Sequence, residues 1–134
     1  MAGEFVPVVM VPRYTSYVGG GQAGVSGSQY MTIGMDVSAY QSATLSVWRS
    51  KLLGSTPTLK FFFEESSDQV TWSTCANTSS SGEQPASAET EYQYSPTFKK
   101  RWFRVRIELA TASPYPADAA ATCWVAGFFE QREA

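Results

Sequence analysis

Histidine is absent from the 134 residues, and cysteine occurs only twice, at Cys75 and Cys123. The chain therefore lacks the commonest catalytic base, and two isolated thiols cannot close a tetrahedral zinc site. Neither metal catalysis nor a histidine-activated nucleophile is expected, and no cofactor is implied. Charge of one sign is also lacking: ten Lys plus Arg face twelve Asp plus Glu for a net charge of −2, with no basic block. That removes the electrostatic footprint by which nucleic acid or an anionic membrane surface is recognised. No stretch approaches the about 18 consecutive apolar residues of a membrane span. The opening "MAGEFVPVVMVPRY" has no basic leader before its apolar residues, so the chain reads as soluble and made without a signal peptide. The thiols lie 48 positions apart on different candidate strands. Neither has a cationic neighbour in sequence, and both are expected to be free and half-buried rather than reactive.

What is present is a strand-forming composition. Apolar residues make up 43% of the chain and aromatics 14%, enough for one continuous core in a single domain spanning 1–134. The hydrophobic period is two, with β-branched and aromatic residues gathered between clusters of Gly, Ser, Pro and Asn. Strands are expected over Phe5 to Val11, Gln29 to Val37, Ala43 to Leu52, Thr58 to Glu65, Thr71 to Cys75, Glu89 to Thr97, Trp102 to Ala110 and Thr122 to Gln131. About eight short strands fit an all-β fold, a two-sheet antiparallel β-sandwich of jelly-roll kind. Residues 1–28 read as an extended N-terminal segment ending in the flexible loop "GGGQAGVSGSQ". "GSTP" at 54–57 reads as a tight connection, and "ANTSSSGEQPASAE" at 76–89 and "TASPYPADAA" at 111–120 as projecting loops.

Alternation assigns the faces. In "WFRVRIEL" one face carries Phe103, Val105, Ile107 and Leu109, the other Trp102, Arg104, Arg106 and Glu108. Leu45 and Val47 point opposite to Trp48, and Leu59, Phe61 and Phe63 opposite to Lys60, Phe62 and Glu64. The expected core is therefore Leu45, Val47, Phe61, Phe63, Phe103, Val105 and Ile107. Three consecutive phenylalanines cannot all enter one core. Phe62 must either lie under a loop or the N-terminal segment, or face a partner together with Trp48, Trp102, Arg104 and Arg106, since aromatics and arginine favour interface centres.

Paired carboxylates flank the cleft of most glycosidases, and Glu64, Glu65 and Asp68 are close in sequence. Adjacent strand residues point to opposite faces, however, so Glu64 and Glu65 do not share a site. Ser67 and Asp68 in "SSDQVT" are expected to build a turn, Asp68 accepting backbone N–H bonds. "GGGQAG" lacks the following Lys and helix of a phosphate-cradling loop. No catalytic or metal-binding residue is assigned.

The run "DVSAYQSATLSVWR", then "FFFEESSDQVTW", then "KKRWFRVRIEL" before "CWVAGFFEQR" resembles a pattern common in small structural proteins of the head and tail modules of tailed bacteriophages, over Met35 to Phe129. "SSDQVTW" is also similar to the Ser-x-Asp turn before a core Trp in discoidin-like and galactose-binding sandwiches, as a fold element only. The phage resemblance implies a non-enzymatic virion protein that decorates or cements a capsid through an aromatic and Arg-rich sheet face. It would be made in the host cytoplasm, form homo-oligomers and contact a major capsid protein or another virion protein. The alternative is a carbohydrate-binding module, with Trp48, Trp102 or Tyr115 stacking on sugar and a host-surface glycan as partner.

Overall fold

The computed structural model describes residues 3–18, 28–54, 58–78, 90–110 and 120–132. The expected loop segments 19–27, 55–57, 79–89 and 111–119, Tyr115 among them, lie outside the described residues. Nine strands are formed there: β1 (Phe5–Val18), β2 (Ser28–Tyr30), β3 (Met35–Asp36), β4 (Tyr40–Arg49), β5 (Thr58–Ser66), β6 (Ser73–Thr74), β7 (Thr90–Tyr94), β8 (Trp102–Ala110) and β9 (Ala120–Gln131). The first sheet runs β1-β9-β4-β7, the second β2-β8-β5-β6 with β3 also on β8, and every pairing is antiparallel. Because β2 and β3 both pair with β8, they act as one interrupted strand. The result is two facing sheets of four strand positions each, in jelly-roll order, as the period-two pattern implies.

Alternation holds along the long strands. Phe103, Val105, Ile107 and Leu109 of β8 are buried, as are Leu59, Phe61 and Phe63 of β5 and Leu45 and Val47 of β4. Val37, Phe98, Val125 and Phe129 complete the inter-sheet core. Phe63 lies near Tyr94 and Phe103, with ring centroids at 4.6 and 6.4 Å. At Gly127 in β9 a Cβ would collide with the carbonyl oxygen of Thr44, so only glycine allows β4 to pass so closely there.

The departures from the expected strands have local causes. The Gln29 to Val37 segment breaks because the Thr32 hydroxyl takes the Val105 N–H at 3.0 Å, a bond the ladder would otherwise make, while Met31 N–H goes to the Val105 carbonyl. At Gly34 the chain then packs against the Trp72 ring, where a Cβ would stand 3.0 Å from it. Thr71 to Cys75 shortens to β6 because the Asp68 carboxylate holds the preceding backbone up to Thr71 in the turn. The strand expected from Glu89 to Thr97 ends at Tyr94, just before Pro96, which has no N–H to give a ladder. β1 extends past Val11 to Val18, with register shifts between Val9 and Val11 and between Val11 and Thr15. Tyr14 adopts a positive φ of 64° in the second irregularity.

Candidate functional site

The outer face of the second sheet carries the charged residues. Arg104 and Arg106 of β8 lie beside Glu64 and Phe62 of β5, because the β5–β8 register sets Glu64 opposite Arg104 and Phe62 opposite Arg106. Arg104 Nε donates to Glu64 Oε1 at 2.9 Å, and Arg106 Nη1 donates to Glu108 Oε1 at 2.9 Å. Arg106 Nε also reaches Glu64 Oε1, at 3.3 Å. The guanidinium of Arg104 sits 4.0 Å from the Trp72 centroid and 4.6 Å from that of Tyr30; that of Arg106 sits 4.1 Å over Phe62. Glu64 is therefore a hub whose two arginines are each laid against aromatic rings. Among the described residues, the Arg106 guanidinium lies over the Phe62 ring. Burial lowers the pKa of Arg106, but the hydrogen bonds and charges of Glu64 and Glu108 together outweigh it, so the pKa is raised. Trp102 stands at the end of this face, under Arg101, which also pairs with Asp36 at 2.9 Å.

Glu65 points the other way, as adjacency on a strand requires. It is buried and accepts the backbone N–H groups of Lys99 and Lys100 at 2.8 and 3.2 Å, tying the end of β5 to the turn before β8. The two carboxylates share no cleft. In the next turn Asp68 accepts N–H bonds from Val70 and Thr71 at 2.8 and 2.9 Å and the Ser66 hydroxyl at 2.8 Å. These bonds, the Thr71 and Val70 N–H groups first, hold the Asp68 carboxyl down at about 2. Ser67 is exposed beside it, and the serine bonded into the turn is the buried Ser66.

The outer face of the first sheet is different in kind. Trp48 of β4 stacks on Trp124 of β9 with centroids 4.0 Å apart and an interplanar angle of 11°. Tyr14 meets Trp124 edge-on at 5.7 Å, and Arg13 lies 5.3 Å over it. Farther along the same face Phe128 and Phe5 are exposed and flank a hollow of 320 Å³. Trp48 is thus on the opposite side of the molecule from Phe62, Trp102, Arg104 and Arg106. Four of the five expected contact residues share the outer face of the second sheet, and the fifth, Trp48, pairs with Trp124 on the first. Trp124 was legible in "CWVAGFFE", since Cys123 and Val125 alternate inward; its pairing with Trp48 depends on register, which the sequence does not carry.

A third surface lies where the sheets part at the β1 edge. A cleft of 410 Å³ is lined by Val8, Val9, Met10, Ile33, Met35 and Phe129, together with Thr32. Ile33 is 84% exposed and Val9 70%. Among the described residues β1 pairs only with β9, so its other side is open to hydrogen bonding.

Buried polar groups elsewhere are structural. Arg49, continuing the inward alternation of Leu45 and Val47, is fully buried and donates to the Ser50 carbonyl at 3.0 Å and the Thr90 hydroxyl at 3.3 Å. Cys75 and Cys123 are free and buried. Burial pushes the Cys123 thiol up to about 12, against the pull of the Arg49 charge. Burial also raises Cys75, and the carboxylates of Glu65 and Glu64 add to that. Among the described residues no three His, Cys, Asp or Glu side chains are grouped to hold a metal ion.

These elements define the class: an antiparallel jelly-roll β-sandwich whose edge strand β1 pairs, among the described residues, only with β9. The same fold recurs in solved structures. The VP2 protein of infectious bursal disease virus, in derived T=1 particles, superposes with a TM-score of 0.67 at 4% identity, over 96% of this chain and 32% of its own. XepA, the exported protein of PBSX, gives a TM-score of 0.52 at 18% identity, over 96% of this chain and 38% of its own. The CBM22-1 xylan-binding domain of Xyn10C from Paenibacillus barcinonensis gives 0.52 at 14% identity, over 100% of this chain and 86% of its own. The chain spans about a third of VP2 and somewhat more of XepA, and at these identities the likeness is one of fold. The sequence matches no protein-family profile and no curated protein.

Proposed function

We propose that the chain is a non-enzymatic structural protein of a viral particle, a jelly-roll module of tailed-phage decoration type that docks on neighbouring subunits through the β1 edge. The observation that carries this reading is the apolar mouth beside β1. Ile33 and Val9 expose 84% and 70% of their surface next to a cleft lined by Val8, Met10, Met35 and Phe129. Exposed β-branched side chains along an open strand edge are a surface for another chain to cover, by adding a strand to β1 and seating apolar side chains in the cleft. Pro7 and Pro12 bracket the stretch Val8 to Val11 and limit such pairing to one short strand, which guards against open-ended stacking. The likeness to VP2, described in particles, supports the reading at the level of fold. The phage-like sequence pattern from Met35 to Phe129 supports the decoration type. The arginine face is the weaker docking candidate, because its guanidinium groups are already committed to Glu64, Glu108 and aromatic rings.

The test is incorporation. Ile33→Glu combined with Val9→Lys changes two exposed side chains and should leave the domain folded while removing it from purified particles imaged by electron microscopy. A folded double variant that takes the same repeated particle position as wild type would sink the proposal. The carbohydrate-binding alternative would stack sugar on Trp48 of the first sheet, Trp102 of the second or Tyr115.

A further inference from the structure

We propose that the outer face of the first sheet binds an extended, neutral oligosaccharide laid along β4. The antiparallel register orders this face in rows. In one row Trp48 stands between Trp124 and Glu91; since one indole face is taken by the stack with Trp124, the other is turned toward Glu91 on β7. Two residues along β4, Ser46 lies between Ala126 and Gln93. Two further, Thr44 lies beside Phe128, and then Ser42 beside Glu130. At about 3.3 Å of rise per residue the Trp48 and Phe128 rows are roughly 13 Å apart. β4 therefore supplies a floor of hydroxyls with an indole at one end. At the other end are Phe128, 49% exposed, and Phe5, 63% exposed, around a hollow of 320 Å³.

A sugar chain has the matching chemistry. Each pyranose offers C–H groups that lie on an aromatic ring and hydroxyls that need donors and acceptors beside it. An aromatic ring, a run of hydroxyls and a second aromatic ring, bordered by Gln93 and Glu91, meet both needs along one line. A protein partner fits less well, since interface centres are apolar and depleted in serine, and here Ser46 lies between the aromatic rows while Thr44 and Ser42 run alongside Phe128 and Glu130. The ligand is neutral because Glu91 and Glu130 border the floor, while Arg13 is held over Trp124 on the side away from β4. An anionic sugar would face carboxylates. The inference stands on this face alone and does not depend on the docking edge at β1.

Titration calorimetry and tryptophan emission, with cellohexaose, xylohexaose, mannohexaose and an oligogalacturonate as probes, test it. At least one neutral hexamer should bind saturably with a change in tryptophan emission, and the galacturonate should not. Thr44→Lys, at an exposed side chain in mid-floor, should leave the thermal melt unchanged and weaken binding at least tenfold. Phe128→Ser and Trp48→Ala should each weaken binding likewise, Trp48→Ala with a somewhat lower melt from the lost stack on Trp124. Ile33→Glu alone, at a side chain off this face, should bind sugar as wild type does, so that loss of assembly and loss of binding are read separately. Silence of all three neutral hexamers overturns the inference, as does binding that survives both Thr44→Lys and Phe128→Ser. Loss of particle incorporation in Thr44→Lys without sugar binding by wild type would give the face to a protein neighbour instead.

Discussion

Glu64 shows how one side chain can decide whether a face is adhesive or merely stable. It accepts from both Arg104 and Arg106 while its side chain is only 11% exposed. Glu64→Gln removes the charge that both guanidinium groups share and should cost about 1 to 3 kcal/mol in denaturant melts, in the range of hydrogen bonds to charged groups. Arg104→Glu with Arg106→Glu would set new carboxylates against Glu64 and Glu108, so that pair of changes reports on folding before it reports on docking. In the core, Phe61 is 1% exposed between the sheets, and Phe61→Ala should cost about 3 to 5 kcal/mol in the same assay. A loss below about 1 kcal/mol would put that side chain at the surface and the strand register off by one. Burial of Phe61 and Phe63 and the outward turn of Phe62 are legible in "LKFFFEE", because a period of two leaves no other arrangement. The Glu64 hub is not legible there, since its arginines come from a strand 40 residues away through a register that no local pattern encodes.

At the scale of elements, the turn after β5 is tied by one carboxylate. Asp68 is held down to about 2 from 3.8 by the N–H groups of Thr71 and Val70 and the Ser66 hydroxyl. Asp36 is likewise held down to about 2, first by bonds from Ser38 and then by Arg101. A carboxyl whose folded pKa is depressed adds stability that is fully present above its unfolded value and is lost as pH falls through the folded one. Thermal midpoints should therefore drop as pH falls from about 4 to about 2. That drop should be smaller in Asp68→Asn and in Asp36→Asn, and equal slopes in all three proteins would show that neither turn is titrating. The turn was legible from "SSDQVT"; that it would shorten β6 to Ser73 and Thr74 was not, because how far a side-chain bond reaches along the backbone depends on the neighbouring strand. The break between β2 and β3 has the same origin, a threonine hydroxyl standing in for a ladder bond.

At the scale of the molecule, the sandwich and its sheet faces follow from composition and alternation, whereas the order of strands does not. Nothing in "VWRS" and "CWVAG" says that Trp48 and Trp124 will meet, or that Trp48 will stand on the opposite side from Trp102. The open edge at β1 was hidden for the same reason. "FVPVVMVPRY" is apolar enough for a core strand, and it is its edge position, paired among the described residues only with β9, that leaves Val9 exposed.

That placement has a kinetic side. β1 and β9 are the earliest and latest strands of the sandwich, yet they are partners from Phe5 opposite Glu130 to Val18 opposite Ala120. The first sheet therefore cannot close while the ribosome is still translating β9, and β1 waits without its partner. A topology dominated by such distant pairings folds in about milliseconds to seconds. A nascent chain therefore holds the apolar β1 surface without its partner strand for at least as long as the last strand takes to emerge, the kind of exposure that favours aggregation.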